Sequence, residues 1–449
     1  MAQGKHYKKK PKKKYIIRRA VALLLMVALL VGVGFGIKAC MSAGLGGASS
    51  GGTESTGSQS SSKDNGGEPY IVASASVGSS GDVMCHSTQL NAAKQSDGSY
   101  YFDDWFSSIK PYFEQYDLMV ANLEVTFGGA GAGAYTGYPV FNTPDSLAAS
   151  IKKAGIDTVL FANNHTYDTG EAGLNRTMQV LKDNKIDFIG TRQTQTDAFW
   201  QIKDVNGIKI GMINYTYSTV SSSGQKALNG NVMTLAAGQL VNTFTYGNLD
   251  AFYEDAKTAI SEMKAQGADV TLMYIHWGNE YQREPNSYQT KMAQEICDMG
   301  YDVILGSHPH VIQPFAKLTG ESGNETVCIY SMGNLVSNQR AELMDSDNYS
   351  GHTEDAMIFS LRWDKYSDDT IKLADVNIQP LWVDMNSASG KKIYRITALD
   401  TSAEDWSRLG VVNLSKAKKS YNRTMKLVGE PLNAYRAEKG WEPVKLTVE

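Results

Sequence analysis

Short apolar runs alternate with helically spaced apolar stripes along most of this chain, and several of the runs end in polar residues of similar chemistry. Small and β-branched residues alternate from Ile71 to Val77, which predicts a strand that gives way to a loop at Gly78-Ser79-Ser80-Gly81-Asp82. Phe102, Phe106 and Ile109 share one face of a helix predicted over 102–112. Leu118-Met119-Val120-Ala121 has the length and composition of a buried strand, closed by Asn122-Leu123-Glu124. A helix over 145–154 leads into Thr158-Val159-Leu160-Phe161-Ala162, a β-branched and aromatic run suited to a strand buried on both faces. Asn163-Asn164-His165 follows directly, and Leu174, Met178 and Leu181 then have the spacing of one helix face.

The second half repeats the pattern. After Ile186-Asp187-Phe188-Ile189-Gly190, strands over 198–204 and 208–214 are joined by Asn206-Gly207, a strong two-residue hairpin signal. Residues 220–247 are polar, have no clear period and stay unassigned. A helix over 249–265 precedes Val270-Thr271-Leu272-Met273-Tyr274-Ile275, which ends in His276-Trp277-Gly278. Another over 286–299 precedes Val303-Ile304-Leu305, which ends in Gly306-Ser307-His308-Pro309-His310. Val327 to Ser331 reads as a strand ending in Met332-Gly333-Asn334, strand-like runs follow at 356–363 and 371–384, and 413–427 is basic and helical in a tail without a predicted place. Strands alternating with helices predict an α/β domain, where ligands bind outside the carboxyl ends of the strands.

The N-terminus departs from this pattern. Lys5, Lys8, Lys9, Lys10, Lys12, Lys13, Lys14, Arg18 and Arg19 precede an uncharged apolar run from Ala20 to Ile37. At about 1.5 Å per residue that run reaches roughly 27 Å as a helix, close to the hydrocarbon thickness of a bilayer. The cations before it should stay in the cytoplasm and the chain after it should lie outside. A single-pass membrane protein is therefore expected, with a basic cytoplasmic segment (1–19), an anchor (20–38), a Gly/Ser-rich tether (39–68), a folded domain (69–385) and a C-terminal extension (386–449). A cleaved signal peptide and lipidation at Cys40 are the alternatives, the first disfavoured by the length of the apolar run and the second by Lys38.

Charge narrows the partners. The chain carries a formal net charge of −4, and the ten cations of its first 40 residues leave −14 on the remainder. Such an outer part holds no nucleic acid or other polyanion by general attraction, and an anionic substrate needs a local cation. Four cysteines, Cys40, Cys85, Cys297 and Cys328, form no disulfide framework in a domain of this size.

Asp82, Glu124, Asn164 with His165, His276, and His308 with His310 each follow an apolar run, so separate strands should deliver them to one sheet edge. In His308-Pro309-His310 the residue before proline favours an extended backbone, and extended residues two apart project to the same side. Carboxylate, amide and imidazole without thiolate suit Mn, Fe or Zn. Two such ions about 3.5–4 Å apart would polarise a phosphoryl group and acidify a water.

Gly81-Asp82-Val83-Met84, Asn122-Leu123-Glu124, Ala162-Asn163-Asn164-His165 with Asp168 and Gly170, His276-Trp277-Gly278, His308-Pro309-His310 and Tyr330-Ser331-Met332-Gly333-Asn334 together resemble the bacterial CapA/PgsA family, with the blocks in order over 69–385. These are membrane-anchored surface proteins associated with synthesis and export of poly-γ-glutamate capsule. The family is in turn similar to calcineurin-like metallophosphoesterases, so the resemblance implies an αββα four-layer sandwich. It also implies Asp82 as first metal aspartate, Glu124 in place of a bridging aspartate, Asn164, His276 and His308 on a second ion, His310 on the first, and His165 assisting the leaving group. Met84 stands where phosphoesterases carry a ligand histidine, with His86 as a candidate substitute; Asn163, Asp168 and Asn334 are further candidates. The implied partners are the cell membrane, membrane subunits of a capsule synthesis complex and an anionic polymer. Two other roles stay open: a non-catalytic polymer- or partner-binding subunit of an export complex, and a surface metallophosphoesterase or nucleotidase unrelated to capsule.

Overall fold

Strand β1 (Ile71–Val83) lies inside the first sheet, and β2 (Leu118–Leu123), β3 (Thr158–Leu160) and β4 (Asp187–Ile189) extend from it in parallel. The chain then enters a second sheet with β5 (Gln201–Val205) and β6 (Ile208–Tyr217), the predicted hairpin. Its Asn206 and Gly207 have φ of 54° and 84°, the positive values that a tight hairpin turn demands. The unassigned region forms a small sheet of its own, β7 (Thr219–Val220), β8 (Lys226–Leu228) and β9 (Asn231–Val232). Then β10 (Thr243–Phe244), β11 (Val270–His276), β12 (Val303–Ser307), β13 (Ile312–Thr319) and β14 (Glu325–Met332) complete the second sheet. Finally β15 (Asp355–Tyr366), β16 (Ile371–Asn386) and β17 (Ile393–Ala398) return antiparallel to the first, giving the orders β17-β16-β15-β1-β2-β3-β4 and β10-β6-β11-β12-β14-β13.

This computed structural model describes residues 68–344, 351–387, 390–399 and 403–446. The residues from Glu68 onward form one compact unit. The expected cytoplasmic segment, anchor and tether, with Cys40, lie outside the described residues. Among those described, no helix is long and apolar enough to cross a membrane.

The apolar residues sort into three cores that define the layering. One holds Met119, Ala121 and Val159 of the first sheet against Leu147, Ile151, Leu174 and Met178 from the helices Ser146–Ala154 and Gly170–Asp183. A second lies between the sheets, joining Val77, Val120 and Phe359 to Met212, Leu272 and Leu305. The third packs Ile213, Met273 and Ile304 of the second sheet against Ala256, Ile260, Met292 and Ile296 of the helices Leu249–Ala265 and Ser287–Asp298. Alternate residues of β11, such as Leu272 and Met273, thus serve different cores, which is why that run is apolar throughout.

Several expectations are corrected. β1 does not stop at Val77: Gly78 to Val83 continue it, paired with β15 as far as Ser80 on one side and with β2 as far as Val83 on the other. The helix over 102–112 is two single turns, Asp103–Phe106 and Lys110–Phe113, the second starting around Pro111; Phe102, Phe106 and Ile109 are nevertheless buried. β13 carries Pro314, which a sheet tolerates because this strand is at its edge. The stretch after Asn386 supplies β17 and several helices, among them Leu414–Thr424 and Glu430–Lys439, whose Tyr421, Leu432 and Tyr435 enter the core between the sheets. Arg423 binds both carboxylate oxygens of Asp355 at 2.6 and 2.7 Å, tying this tail to β15.

Candidate metal centre

Both sheets turn the carboxyl ends of their parallel strands toward one place. On the first sheet, β1 and β2 pair residue for residue until Ser80 faces Ala121, and then Asp82 faces Asn122, so Gly81 is an extra residue in β1. Such a bulge re-aims the next side chain. Here it allows Asp82 N–H to donate to Gly333 O at 3.0 Å and places the Asp82 carboxylate against the amide of Asn122, Nδ2 to Oδ1 2.7 Å. The same amide nitrogen donates to Glu124 Oε2 at 3.2 Å, so Asn122 spaces the two carboxylates.

After β3 the chain makes a tight polar loop. Asn163 binds it to β2 through Nδ2 and Leu123 O (2.8 Å) and accepts the His165 N–H at 3.1 Å. Asn164 Oδ1 projects to His276 Nε2 at 2.7 Å. His165 Nδ1 lies 2.7 Å from Asp168 Oδ2, which also accepts the Phe141 N–H at 2.7 Å. Asn229, in the turn between β8 and β9, reaches across to His165 Nε2 (3.3 Å) and to the Asn164 amide (3.1 Å).

The second sheet contributes the imidazoles. His276, the last residue of β11, has Nδ1 2.9 Å from Ser307 Oγ, at the end of β12. His308 Nδ1 is 3.1 Å from His276 Nε2, and His310 Nδ1 is 3.0 Å from Asp82 Oδ2 and 3.1 Å from Asn334 Oδ1. The expected extended backbone is not found: His308 and His310 have φ of 96° and 58°. Both are in the region that favours glycine, a strain that residues at functional sites retain when their surroundings over-determine them. The two rings still converge, with centroids 5.8 Å apart.

Asp82, Glu124, Asn164, His276, His308 and His310 are buried, and among them Glu124 is left incomplete. Glu124 Oε1 has no hydrogen-bond partner; His276 Nε2 and His310 Nε2 approach it to 3.6 and 3.8 Å. Donors around one ion at about 2.0–2.2 Å sit roughly 3–3.5 Å from one another, close to these separations. Glu124, His308 and His310 form one group of donor atoms within 4.8 Å, and Asp82, Glu124 and His276 form another, sharing Glu124. An orphaned buried oxygen facing imidazole nitrogens, in a set of carboxylate, amide and imidazole, fits a hard-to-borderline divalent cation.

Protonation follows the same logic. Burial, then the charge of Asp82, pushes the Glu124 carboxyl well above its usual range. Burial, then neighbouring imidazoles, holds His276 and His308 well below theirs, in the neutral form that a cation requires. Burial pulls His310 down too, but the hydrogen bond and charge of Asp82 more than offset it, and His310 sits above its usual value.

Of the residues singled out from sequence, Asp82, Glu124, Asn164, His165, His276, His308 and His310 meet here. Asn163, Asp168 and Asn334 stand behind them as orienting partners. Met84 is buried beside the centre. His86 is outside both donor groups: its Nδ1 accepts the Asn338 N–H at 3.3 Å and lies 3.2 Å from Gln89 Oε1, and its ring packs edge-on against Phe141. Asn122, Ser307 and Asn229 were not expected. Asn122 and Ser307 do end apolar strands, the signal that found the others, whereas Asn229 lies in a turn without periodicity.

The family described as bacterial capsule synthesis protein PGA_cap matches residues 76–339, which include every residue of the centre. The chain is 31% identical over 241 residues to the PGA biosynthesis protein CapA of Bacillus subtilis (strain 168), covering 53% of this chain and 57% of that one. It is 24% identical over 249 residues to the capsule biosynthesis protein CapA of Bacillus anthracis, covering 54% and 55%. The chain thus spans a little over half the length of these curated relatives. Among solved structures, Haemophilus influenzae NAD nucleotidase aligns with a TM-score of 0.39 and 12% identity over 82% of this chain and 68% of that one. Purple acid phosphatase PPD1 from yellow lupin seeds aligns at 0.32 and 10% over 68% and 53%.

Proposed function

The chain belongs to the bacterial capsule synthesis protein family PGA_cap, and from that premise we propose that it is a metal-dependent hydrolase of the cell surface, acting in synthesis or export of a capsular polymer. The observation that carries the hydrolase part is the buried, unpartnered Glu124 Oε1 facing two imidazoles. The two-sheet stack with donors at its strand ends supports a metallophosphoesterase-like reading of the fold. The cationic block and apolar run before residue 38 support an anchor with the folded unit outside, and membrane subunits of a capsule complex and an anionic polymer would be its partners.

Asp82, Glu124, Asn164, His276, His308 and His310 are the residues that would hold one or two divalent ions, of Mn, Fe or Zn type. A bound ion would supply Lewis-acid charge for the reacting group and a more acidic water. His165 moves the proton. With Nδ1 engaged by Asp168, its tautomer and ring plane are set, and Nε2 is the atom that passes a proton to the leaving group. Asn229 covers that nitrogen and orients Asn164 at the same time. Asn334, which accepts from or faces His310 Nδ1 and donates to His310 O at 3.2 Å, fixes that ring.

The test is metal content and hydrolysis of a phosphodiester panel by the purified chain, beside Asp82→Asn and His308→Ala. Bound divalent ion and turnover that both variants lose are expected; wild-type protein without any bound ion removes the hydrolase. Met84, in a position where phosphoesterases carry a histidine, favours a second reading as a non-catalytic polymer-binding subunit. That reading requires a capsule phenotype that survives Asp82→Asn and is lost on deleting residues 20–37.

A further inference from the structure

The centre opens to solvent through a cleft of about 250 Å³, and the described residues lining it include no lysine and no arginine. An anionic group entering there would meet no lysine or arginine, and His310, the lining imidazole held above its ordinary value, is already engaged by Asp82. What the cleft does present is a carboxylate in a lining shared with two phenol rings. Glu280, exposed in the turn after β11, lines it beside Tyr281. Burial, then the charge of Glu280, raises the neighbouring Tyr281 phenol. Tyr281 stands with its ring 6.2 Å from that of His310, and Tyr138, 67% exposed, stands 6.4 Å from His165. Each phenol ring thus stands near one imidazole of the lining. Arg283, three residues from Glu280, does not line the cleft; its Nη1 lies 3.1 Å from His352 Nε2.

A carboxylate beside aromatic rings, with no lysine or arginine in the lining, is chemistry that holds an ammonium ion, by Coulomb attraction and by the ring quadrupole. A phosphate or carboxylate would be repelled by Glu280 unless the metal drew it further in. We propose that this cleft binds a primary ammonium group, and therefore that the substrate is an amine-bearing molecule, such as the free amino end of a peptide-like chain, with the reacting bond a short distance from that amine. This deepens the hydrolase reading and rests on it for the identity of the cleft as the substrate's entrance.

The test uses the full-length purified chain and two probes, trialanine amide with a free amino end and its N-acetylated form, with binding read by calorimetry or ligand-observed NMR and metal content measured on the same samples. Wild type should prefer the free amine about tenfold. Glu280→Gln, at an exposed position, should fold normally and lose most of that preference, and Tyr138→Ala should lose part of it. Equal binding of the two probes by metal-loaded wild type, or an unchanged preference in Glu280→Gln, overturns the ammonium site and leaves the metal centre standing. A Glu280-dependent preference in protein that holds no metal supports the ammonium site and removes the metal centre.

Discussion

His165 Nδ1 and Asp168 Oδ2 are 2.7 Å apart in a buried setting, and the other oxygen of that carboxylate, Oδ1, has no hydrogen-bond partner. Asp168 is thus held by the Phe141 N–H and spends its charge on one imidazole. A histidine so oriented contributes through proton transfer to the leaving group, an effect of about 10²–10⁴ in rate. His165→Ala should lose that factor on esters with a poor leaving group, and Asp168→Asn a fraction of it, while both lose less than about tenfold on a p-nitrophenyl ester, which needs little protonation. Steady-state rates on the two substrate types, with metal content measured alongside, separate this from a structural role, which would lower both rates alike.

Glu124 makes the opposite kind of prediction. Without an ion its buried carboxylate faces Asp82 and lacks a partner for one oxygen. Glu124→Gln keeps the shape and removes the buried charge, so the metal-free variant should unfold at an equal or higher denaturant concentration than metal-free wild type. Adding divalent ion at about a hundred times its Kd should stabilise wild type by about 2.7 kcal/mol. The variant should gain almost nothing. Denaturant titrations with and without chelator read both differences, and an equal gain in the two proteins would take Glu124 out of the centre.

Much of this site could be read from the chain because its chemistry follows strand ends. Asp82, Glu124, Asn164, His276 and His308 each come directly after residues that bury both faces of a strand, and a parallel sheet brings such ends together without further instruction. The bulge at Gly81 has no such signature, since it depends on the backbone of Gly333, 252 positions away in the chain. Nor do Asn229 and Glu280, whose turns have no period and whose meaning comes from what faces them. The backbone of His308 and His310 went against local preference: proline favours an extended residue before it, and the packing of the imidazoles overrode that with positive φ. The tail after Asn386 was unreadable for a different reason, as its amphipathic helices match an edge of the core that only exists once both sheets are in place.

That dependence on Gly333 can be measured. A Cβ on Gly81 would fall 1.8 Å from Gly333 O, a backbone atom that cannot swing away. Gly81→Ala must therefore push apart the Asp82 N–H and Gly333 O contact that aims Asp82 at the centre. We expect a loss of at least about 2 kcal/mol together with weakened metal binding. Gly247→Ala, where a Cβ meets nothing within 4 Å, should stay within about 0.5 kcal/mol of wild type. Similar stability in both variants would mean that β1 and the Gly333 turn are less closely fitted than described.

His86 sets a pH dependence of its own. Burial, partly countered by its contact with Gln89 and reinforced by the charges of His310 and His165, lowers its imidazole from the ordinary 6.5 to about 4. The folded state therefore favours the neutral ring, while the unfolded chain takes up a proton near 6.5. Its contribution to stability is present in full above 6.5 and is lost as the pH falls toward about 4. Asn338 and Phe141, packed on the ring, offer nothing that stabilises a positive charge, since the Asn338 N–H already points at Nδ1 as a donor. In His86→Gln, whose side chain does not titrate, this part of the acid destabilisation should vanish. Denaturant unfolding of chelated wild type and variant at a series of pH values gives the test by difference, which cancels the other buried histidines. The gap between the two curves should change between about 6.5 and 4 and be flat above; a constant gap throughout that window would mean that His86 is as free to protonate folded as unfolded.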